Sequence, residues 1–156
     1  FLQQQLINII IIPHSIYMVR TIIDEIKDAG YGGIYWIEVD QFPKKWVKVG
    51  MAESDIINRL HAYTTYFPKN FQIVAMILYK NDWTKYYHAR DVETQLHRFM
   101  KKEEQIFGYP RQRSTEWYSL TPKRKNELKK EMEKIAKGTG GAFNDFSISH
   151  TINHPI

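Results

Sequence analysis

Five side chains suited to acid–base and phosphate chemistry follow one another along the first two thirds of the chain. They are two phenols, an amine, a guanidinium and a carboxylate: Tyr35, Lys48, Arg59, Tyr63 and Glu93. Hydrolysis of a phosphodiester needs a group that deprotonates water, positive charge beside the phosphorus oxygens, and protonation or metal stabilisation of the leaving oxygen. The set holds at least one candidate for each requirement.

Each residue also has an ordinary structural explanation when it is taken alone. Tyr35 can be a packed aromatic, and Tyr63 can flank a helix. Lys48 and Arg59 can be solvated surface charges. Only their joint order along the chain favours a shared site.

Glu93 and His97 are four residues apart and therefore share one face of a helix. They can be a solvated pair or two ligands of a transition metal. Alternatively, Glu93 alone binds the metal, and His97 stabilises Glu93 without contacting the metal. We favour Glu93 as the ligand and leave the role of His97 open.

Two strands and a helix must hold the first four residues of the set. Alternating apolar side chains predict strands at 34–39 and 46–50, joined by a turn that contains Pro43, and the product is a hairpin. Ser54 or Asp55 can cap a helix that runs to about Tyr63. On such a helix Arg59 and Tyr63 share a face.

The later elements are predicted from their apolar periodicity. Residues 71–79 form the most hydrophobic strand, which we place in the interior of the sheet. Residues 89–107 form a helix that carries Glu93, and residues 116–120 a short aromatic strand or turn. Thr121 and Pro122 are a strong helix start, and the helix runs to Lys137.

The N-terminal part predicts a strand and a packing helix. Four consecutive isoleucines favour a buried strand at 6–12, which is too short to span a bilayer and stops at Pro13. Residues 16–29 form a helix, with Gly30 as its stop. The chain opens at Phe1, so we expect further residues before it.

Composition excludes several classes of protein. With 43% hydrophobic residues the chain is not disordered over most of its length, and with no cysteine it has no disulfide, thiolate zinc site or thiol nucleophile. Lack of cysteine also fits a reducing compartment, so we expect a cytoplasmic location. The net charge of +5 favours a polyanionic partner.

The ordered set resembles the GIY-YIG nuclease superfamily. The tripeptides GIY at 33–35 and KVG at 48–50 come first, and Arg59, Tyr63 and Glu93 follow them. The resemblance covers roughly residues 33–120, and the patterns ExxxH at 93–97 and EWY at 116–118 are similar to the branch found in phages and large viruses.

This resemblance implies a catalytic set and a cofactor. Tyr35 would be the general base and Arg59 the phosphate clamp, and Glu93 would hold one Mg²⁺ or Mn²⁺. Lys48 stands where the superfamily has tyrosine, and a cation there would lower the pKa of Tyr35. Tyr63 would hydrogen-bond the phosphate or the nucleophile.

The basic helix has two interpretations. From Thr121 to Lys137 seven Lys or Arg accompany three Glu, a surplus of four positive charges. The helix is either a solvated one packed by a single stripe or a surface that follows phosphates. In the second case the candidate nucleic-acid contacts are Lys123, Arg124, Lys125, Lys129, Arg111 and Arg113.

We therefore predict an α+β fold with a small three-stranded antiparallel sheet flanked by helices. Residues 1–30 form an N-terminal extension, 31–120 the GIY-YIG-like domain, 121–137 the basic helix and 138–156 a flexible tail. The predicted function is metal-dependent DNA cleavage, with no membrane association and no small-molecule cofactor.

Two rival hypotheses remain. The first is a nucleic-acid-binding module of the same fold with weak or no cleavage. The second is a basic structural protein with a coincidental set of motifs, which predicts that Tyr35, Arg59 and Glu93 do not converge on one cleft.

Overall fold

The protein alternates helices and antiparallel strands. The computed structural model describes residues 14–41, 44–66, 71–80, 89–101, 104–107 and 116–146. Within them the elements are α1 (His14–Ala29), β1 (Gly32–Gln41), β2 (Lys44–Ala52), α2 (Ile56–His61), α3 (Tyr63–Tyr66), β3 (Phe71–Tyr79), α4 (Ala89–Met100), β4 (Glu104–Phe107), β5 (Glu116–Ser119), α5 (Pro122–Thr139) and β6 (Ala142–Asp145). The predicted α+β class is confirmed. The predicted strand at 6–12 lies outside the described residues.

One antiparallel sheet organises the domain. Its strand order is β4-β5-β2-β1-β3-β6, so the predicted hairpin of β1 and β2 and the hydrophobic strand β3 form its centre. The described residues thus contain six strands, whereas the predicted sheet has three. Residues 116–120 were predicted as a strand or turn and form β5, and strands β4 and β6 were not predicted. The three additional strands are short and extend the predicted sheet at both edges.

Alternation along β1 sends its side chains to two different cores. Ile34 and Trp36 pack on the face covered by α4 and α5, together with Leu128. Tyr35 and Ile37 pack on the other face, which α1 and α2 cover. The fold therefore has three layers, and Tyr35 belongs to the α2 side of the sheet.

The predicted helix at 89–107 is wrong in its second half. Helix α4 ends at Met100, and Glu104–Phe107 form β4, which pairs with β5. The helical spacing of Val92, Leu96 and Met100 is real, because all three are buried. Beyond Met100 the pairing with β5 overrides the local pattern.

The predicted flexible tail at 138–156 is also wrong for its first residues. Strand β6 pairs with β3 from Ala75 to Leu78, and Phe146 is buried. Strand β3 carries a bulge next to the end of β6, where the β1–β3 register shifts between Trp36 and Ile37. The carbonyl of Val74, which the shift leaves out of that register, accepts the N–H of Phe146 at 2.8 Å.

Helix α5 begins as predicted and ends later than predicted. The Thr121 hydroxyl accepts the N–H of Arg124, and Pro122 is the first helical residue. The helix continues through Gly138 and stops at Gly140, whose φ of 75° is left-handed. None of the helices in the described ranges combines the length and apolar character needed to cross a bilayer.

The two glycines near the end of α5 should respond to alanine in opposite directions. Gly138→Ala should raise the free energy of unfolding by about 0.5–1 kcal/mol, because its surroundings are open and alanine favours a helix. Gly140→Ala should lower it by about 1–2 kcal/mol, because a side chain is strained at this φ. Urea unfolding of both variants tests this, and a stabilising Gly140→Ala would contradict the helix end described above.

Candidate active site

A cleft of about 800 Å³ opens along the edge of β2. The register pairs β2 with β5 only at Val47 and Tyr118, so β5 does not continue beside Gly50 in the described part of the chain. Helix α2 borders the cleft from one face of the sheet and α4 from the other. The cleft therefore lies between α2 and α4 at this edge of the sheet.

All five side chains predicted as catalytic line this cleft. Tyr35 and Lys48 come from the central strands, Arg59 and Tyr63 from α2 and α3, and Glu93 from α4. Convergence on one cleft contradicts the prediction of the coincidental-motif hypothesis. The catalytic roles of the five residues remain predictions.

Tyr35 lies flat over the neighbouring strand. It is 1% exposed, its register partner is Gly50, and a Cβ on Gly50 would clash with the ring and hydroxyl of Tyr35. Glycine in the KVG tripeptide thus makes room for the tyrosine of the GIY tripeptide. Position 33 also requires glycine, because a Cβ there would clash with the carbonyl oxygen of Ile77 on β3.

The two phenols form a buried pair. Their hydroxyl oxygens share a hydrogen bond of 3.0 Å, and the rings meet edge to face with centroids 6.0 Å apart. Tyr63 also stacks on Phe71 and meets Trp117 edge to face. Aromatic packing on three sides therefore fixes the Tyr63 hydroxyl against Tyr35.

The electrostatics of Tyr35 correct one prediction. Burial raises the pKa of Tyr35, and contact with Tyr63 and Arg59 only partly opposes the rise. Burial and the neighbouring Tyr35 likewise raise the pKa of Tyr63. A lowered Tyr35 pKa, tuned by Lys48, was predicted; the structure gives a raised pKa, and the cation that opposes the rise is Arg59.

Arg59 and Tyr35 act on each other. Contact with the Tyr35 hydroxyl raises the pKa of the Arg59 guanidinium. Arg59 is exposed to solvent although it reaches this buried hydroxyl. One cation therefore links the buried phenol to the open part of the cleft, where a phosphate could bind.

Lys48 is a buried cation in the cleft wall. It pairs with Ile37 in the register and, two residues from Gly50, it projects to the same face as Tyr35. Its side chain is 7% exposed. A buried ammonium strongly favours anionic partners, so Lys48 contributes to an environment suited to phosphate.

The helix predicted to carry Arg59 is two short helices. Helix α2 ends at His61 and α3 begins at Tyr63, with Ala62 between them. Asp55 occupies the N-cap position, but its side chain makes no capping bond. The N–H groups of Asp55 and Ile56 instead donate to the backbone carbonyls of Gly30 and Tyr31, at 3.1 and 2.8 Å.

His97 ties α4 to the edge of β2. Its Nε2–H donates to the carbonyl of Val49 at 2.9 Å, because a carbonyl can only accept. With neutral imidazole, Nδ1 then accepts the Tyr118 hydroxyl at 3.3 Å. His97 thus bridges β2 and β5 close to the Val47–Tyr118 pair, and it positions Glu93, one turn earlier on the same helix.

The polar cleft residues Glu53, Asn58 and Arg90 were not predicted from the sequence, and Asp55 was predicted only as a helix cap. Arg90 precedes Glu93 by three residues, so helical spacing alone could have found it. Asp55 has a left-handed φ of 48°, which is uncommon for a residue with a side chain. No sequence pattern marks that conformation.

Three of the predicted nucleic-acid contacts have intramolecular partners. Lys125 pairs with Glu38 and Lys129 with Asp145, each at 2.9 Å. Arg124 pairs with Glu127 at 2.7 Å, donates to the Phe99 carbonyl at 2.6 Å and stacks on the Phe99 ring. These charges fasten α5 to β1, β6 and α4. Lys123 is exposed, whereas Arg111 and Arg113 lie outside the described residues.

Comparison with known families bears on the same region. Residues 32–136 match the family described as the T5orf172 domain. The chain belongs to the T5orf172 domain family. This phage-associated family is compatible with a nuclease or nucleic-acid-binding role. No curated protein and no solved structure matches the chain.

The T5orf172 match has a clear structural meaning. It begins at the first residue of β1 and ends three residues before the end of α5. It therefore contains every residue of the cleft described above. Helix α1 and strand β6 lie outside the match, although both contribute to the fold.

Gly50→Ala should destabilise the T5orf172 domain by about 1–3 kcal/mol, because the new methyl group overpacks the site of the Tyr35 ring. Chemical unfolding of a double-mutant cycle with Tyr35→Ala tests the cause. The Gly50→Ala substitution should lower the free energy of unfolding by a smaller amount when the Tyr35 ring is absent. Equal costs in the two backgrounds would show that the ring is not the obstacle.

Proposed function

We propose that this T5orf172 domain is a divalent-metal-dependent DNA endonuclease of GIY-YIG type. The observation that carries the proposal is the convergence of Tyr35, Lys48, Arg59 and Glu93 on one open cleft. Phosphodiester hydrolysis needs positive charge and a proton acceptor within reach of one phosphate. The cleft supplies both in a space that admits an extended substrate.

Arg59 is the proposed phosphate clamp. Its planar guanidinium is permanently charged and can donate two parallel hydrogen bonds to phosphate oxygens. It is exposed on the cleft side and in contact with the Tyr35 hydroxyl. A phosphate held by Arg59 would therefore lie next to the proposed base.

Tyr35 is proposed to take the proton from the attacking water. In the absence of substrate the raised pKa keeps it neutral, so the reactive form is a minor one. The positive charge of Arg59 favours a phenolate once it forms. Tyr63 donates a hydrogen bond to the Tyr35 oxygen in that state, because a phenolate can only accept.

Glu93 is the proposed ligand of the metal ion. No group of three or more His, Cys, Asp or Glu in the described ranges is placed to hold an ion. One half-buried carboxylate in an open cleft fits Mg²⁺, which keeps most of its waters and binds through few carboxylates. When bound, the ion would supply positive charge to the phosphate and leaving oxygens.

The second candidate is a nucleic-acid-binding module without efficient cleavage. The observation that favours it is the neutral resting state of Tyr35. A cleft with several cations and a protonated phenol can bind phosphate without activating water. Activity is what separates the two candidates.

Substitution of the clamp and of the metal ligand should abolish cleavage. In a plasmid assay with Mg²⁺, Arg59→Ala and Glu93→Ala should each slow strand breakage at least about 100-fold, since each removes charge stabilisation from the transition state. Matched controls are Arg98→Ala and Asp91→Ala, which change exposed charges of α4 outside the cleft. These controls should stay within about threefold of the parent.

Two results would overturn parts of the proposal. Cleavage that survives both Arg59→Ala and Glu93→Ala would contradict the site assignment. DNA binding by the parent without cleavage would support the binding module instead.

The pH dependence of cleavage should follow the raised pKa of Tyr35. A base must be deprotonated, and below its pKa the deprotonated fraction rises tenfold with each pH unit. Since the pKa of Tyr35 lies above the ordinary value of 10.0, single-turnover cleavage should rise from about pH 6 to pH 9 without a plateau. A plateau below about pH 8 would assign the base to another group.

A further inference from the structure

The seven basic residues of α5 divide into two classes. Three of them are half-buried with side chains 23–27% exposed, and each is paired with an acidic residue: Arg124, Lys125 and Lys129. The other four are exposed: Lys123, Lys130, Lys134 and Lys137. Among the described residues none of these four has an ion-pair partner. We call these four lysines the outer lysine row.

The outer lysine row is a geometric feature as well as a compositional one. At 100° per residue its members lie within about 60° of one another around the helix axis. The buried residues Leu128 and Met132 lie on the opposite side of α5. From Lys123 to Lys137 the row extends about 21 Å at 1.5 Å per residue.

A straight row of this length matches one chemical partner well. Along a nucleic-acid strand a phosphate recurs about every 3.4 Å of axis, so the row is as long as roughly six base pairs. Three acidic residues lie on α5, and two of them have partners away from the row, with Glu127 on Arg124 and Glu131 on Gln95. The third, Glu133, is exposed beside the row, so the outward face carries four lysines against this one glutamate and is net cationic.

Helix α4 lies between the cleft and the helix that carries the row. Phe99 contacts Arg124 and Gln95 contacts Glu131, so α4 and α5 run antiparallel. The end of α4 that carries Arg90 therefore lies toward the end of α5 that carries Lys137. A nucleic-acid strand that leaves the cleft past Arg90 would approach the row from that end.

We propose that the outer lysine row is a nucleic-acid backbone-binding surface that holds duplex DNA beside the cleft. The inference rests on the nucleic-acid-binding half of the proposed function and not on cleavage. It replaces three of the predicted contacts, because Arg124, Lys125 and Lys129 hold the fold together. Phosphate contacts position a duplex and carry no sequence preference, so the row should bind different sequences alike.

The test compares two variants of equal net charge. In the row variant all four lysines become glutamine: Lys123→Gln, Lys130→Gln, Lys134→Gln and Lys137→Gln. In the control variant four exposed lysines on other elements become glutamine: Lys27→Gln, Lys45→Gln, Lys80→Gln and Lys101→Gln. All eight side chains are exposed, so both variants should keep the fold, which circular dichroism verifies.

The measurement is affinity for a fluorescent duplex of about 20 base pairs, in EDTA, at several salt concentrations. The plot of log K against log salt becomes shallower by about 0.9 for each phosphate that the protein no longer neutralises. The row variant should bind at least about tenfold more weakly, with a slope shallower by about 2 to 4. For the control variant the slope should change by less than about 1.

Four outcomes would overturn the inference: no binding by the parent, unchanged binding by the row variant, an equal weakening in both variants, or weaker binding to anionic lipid vesicles with unchanged duplex affinity.

A short oligonucleotide at saturating concentration separates this inference from the nuclease proposal, because the row variant should cleave it at the parental rate. If the salt-dependence slopes change as expected and neither the parent nor a variant cleaves DNA, the binding role of the outer lysine row is supported and the nuclease proposal fails.

Discussion

The hydrogen bond between His97 and the Val49 carbonyl is the interaction on which the rest of the site depends. A strand with an unpaired edge leaves N–H and C=O groups that need partners or solvent. Here β5 pairs with β2 at Val47, and the His97 imidazole takes the Val49 carbonyl two residues further along. Because His97 takes this carbonyl, α4, which covers one face of the sheet, presents Glu93 to a cleft that Tyr35 lines from the other face. The contact therefore joins the two halves of the site.

The cleft concentrates groups that are costly to bury. Tyr35 and Tyr63 are kept neutral by their surroundings, and Lys48 places an ammonium in the wall. Positive charge beside neutral phenols stabilises an anion that binds in the cleft. The positively charged groups are in place before a ligand binds. That is the form of preorganisation expected at a phosphate site.

Much of this arrangement was predictable from sequence because it depends on local patterns. The hairpin, the hydrophobic strand at 71–79 and the Thr121–Pro122 helix start were all predicted and are confirmed. The predictions failed where residues distant in the sequence determine the local structure. Strand β4 exists because β5 pairs with it, and the sign of the Tyr35 pKa shift depends on burial beneath α2. The seven basic residues of α5 look alike in the sequence. Only the positions of Glu38 and Asp145 in the structure distinguish the residues that form ion pairs from those that are exposed.

The docking of residues 142–146 on β3 has a consequence for how the chain reaches its native state. The edge of β3 is completed by residues that lie about 70 positions later in the sequence. Closing a loop of that length is entropically costly and slows folding relative to the local β1–β2 hairpin. During synthesis the most apolar strand therefore emerges long before its last partner, and its bare edge is a place where nascent chains can associate wrongly. A short C-terminal strand outside the T5orf172 match thus protects the centre of the domain.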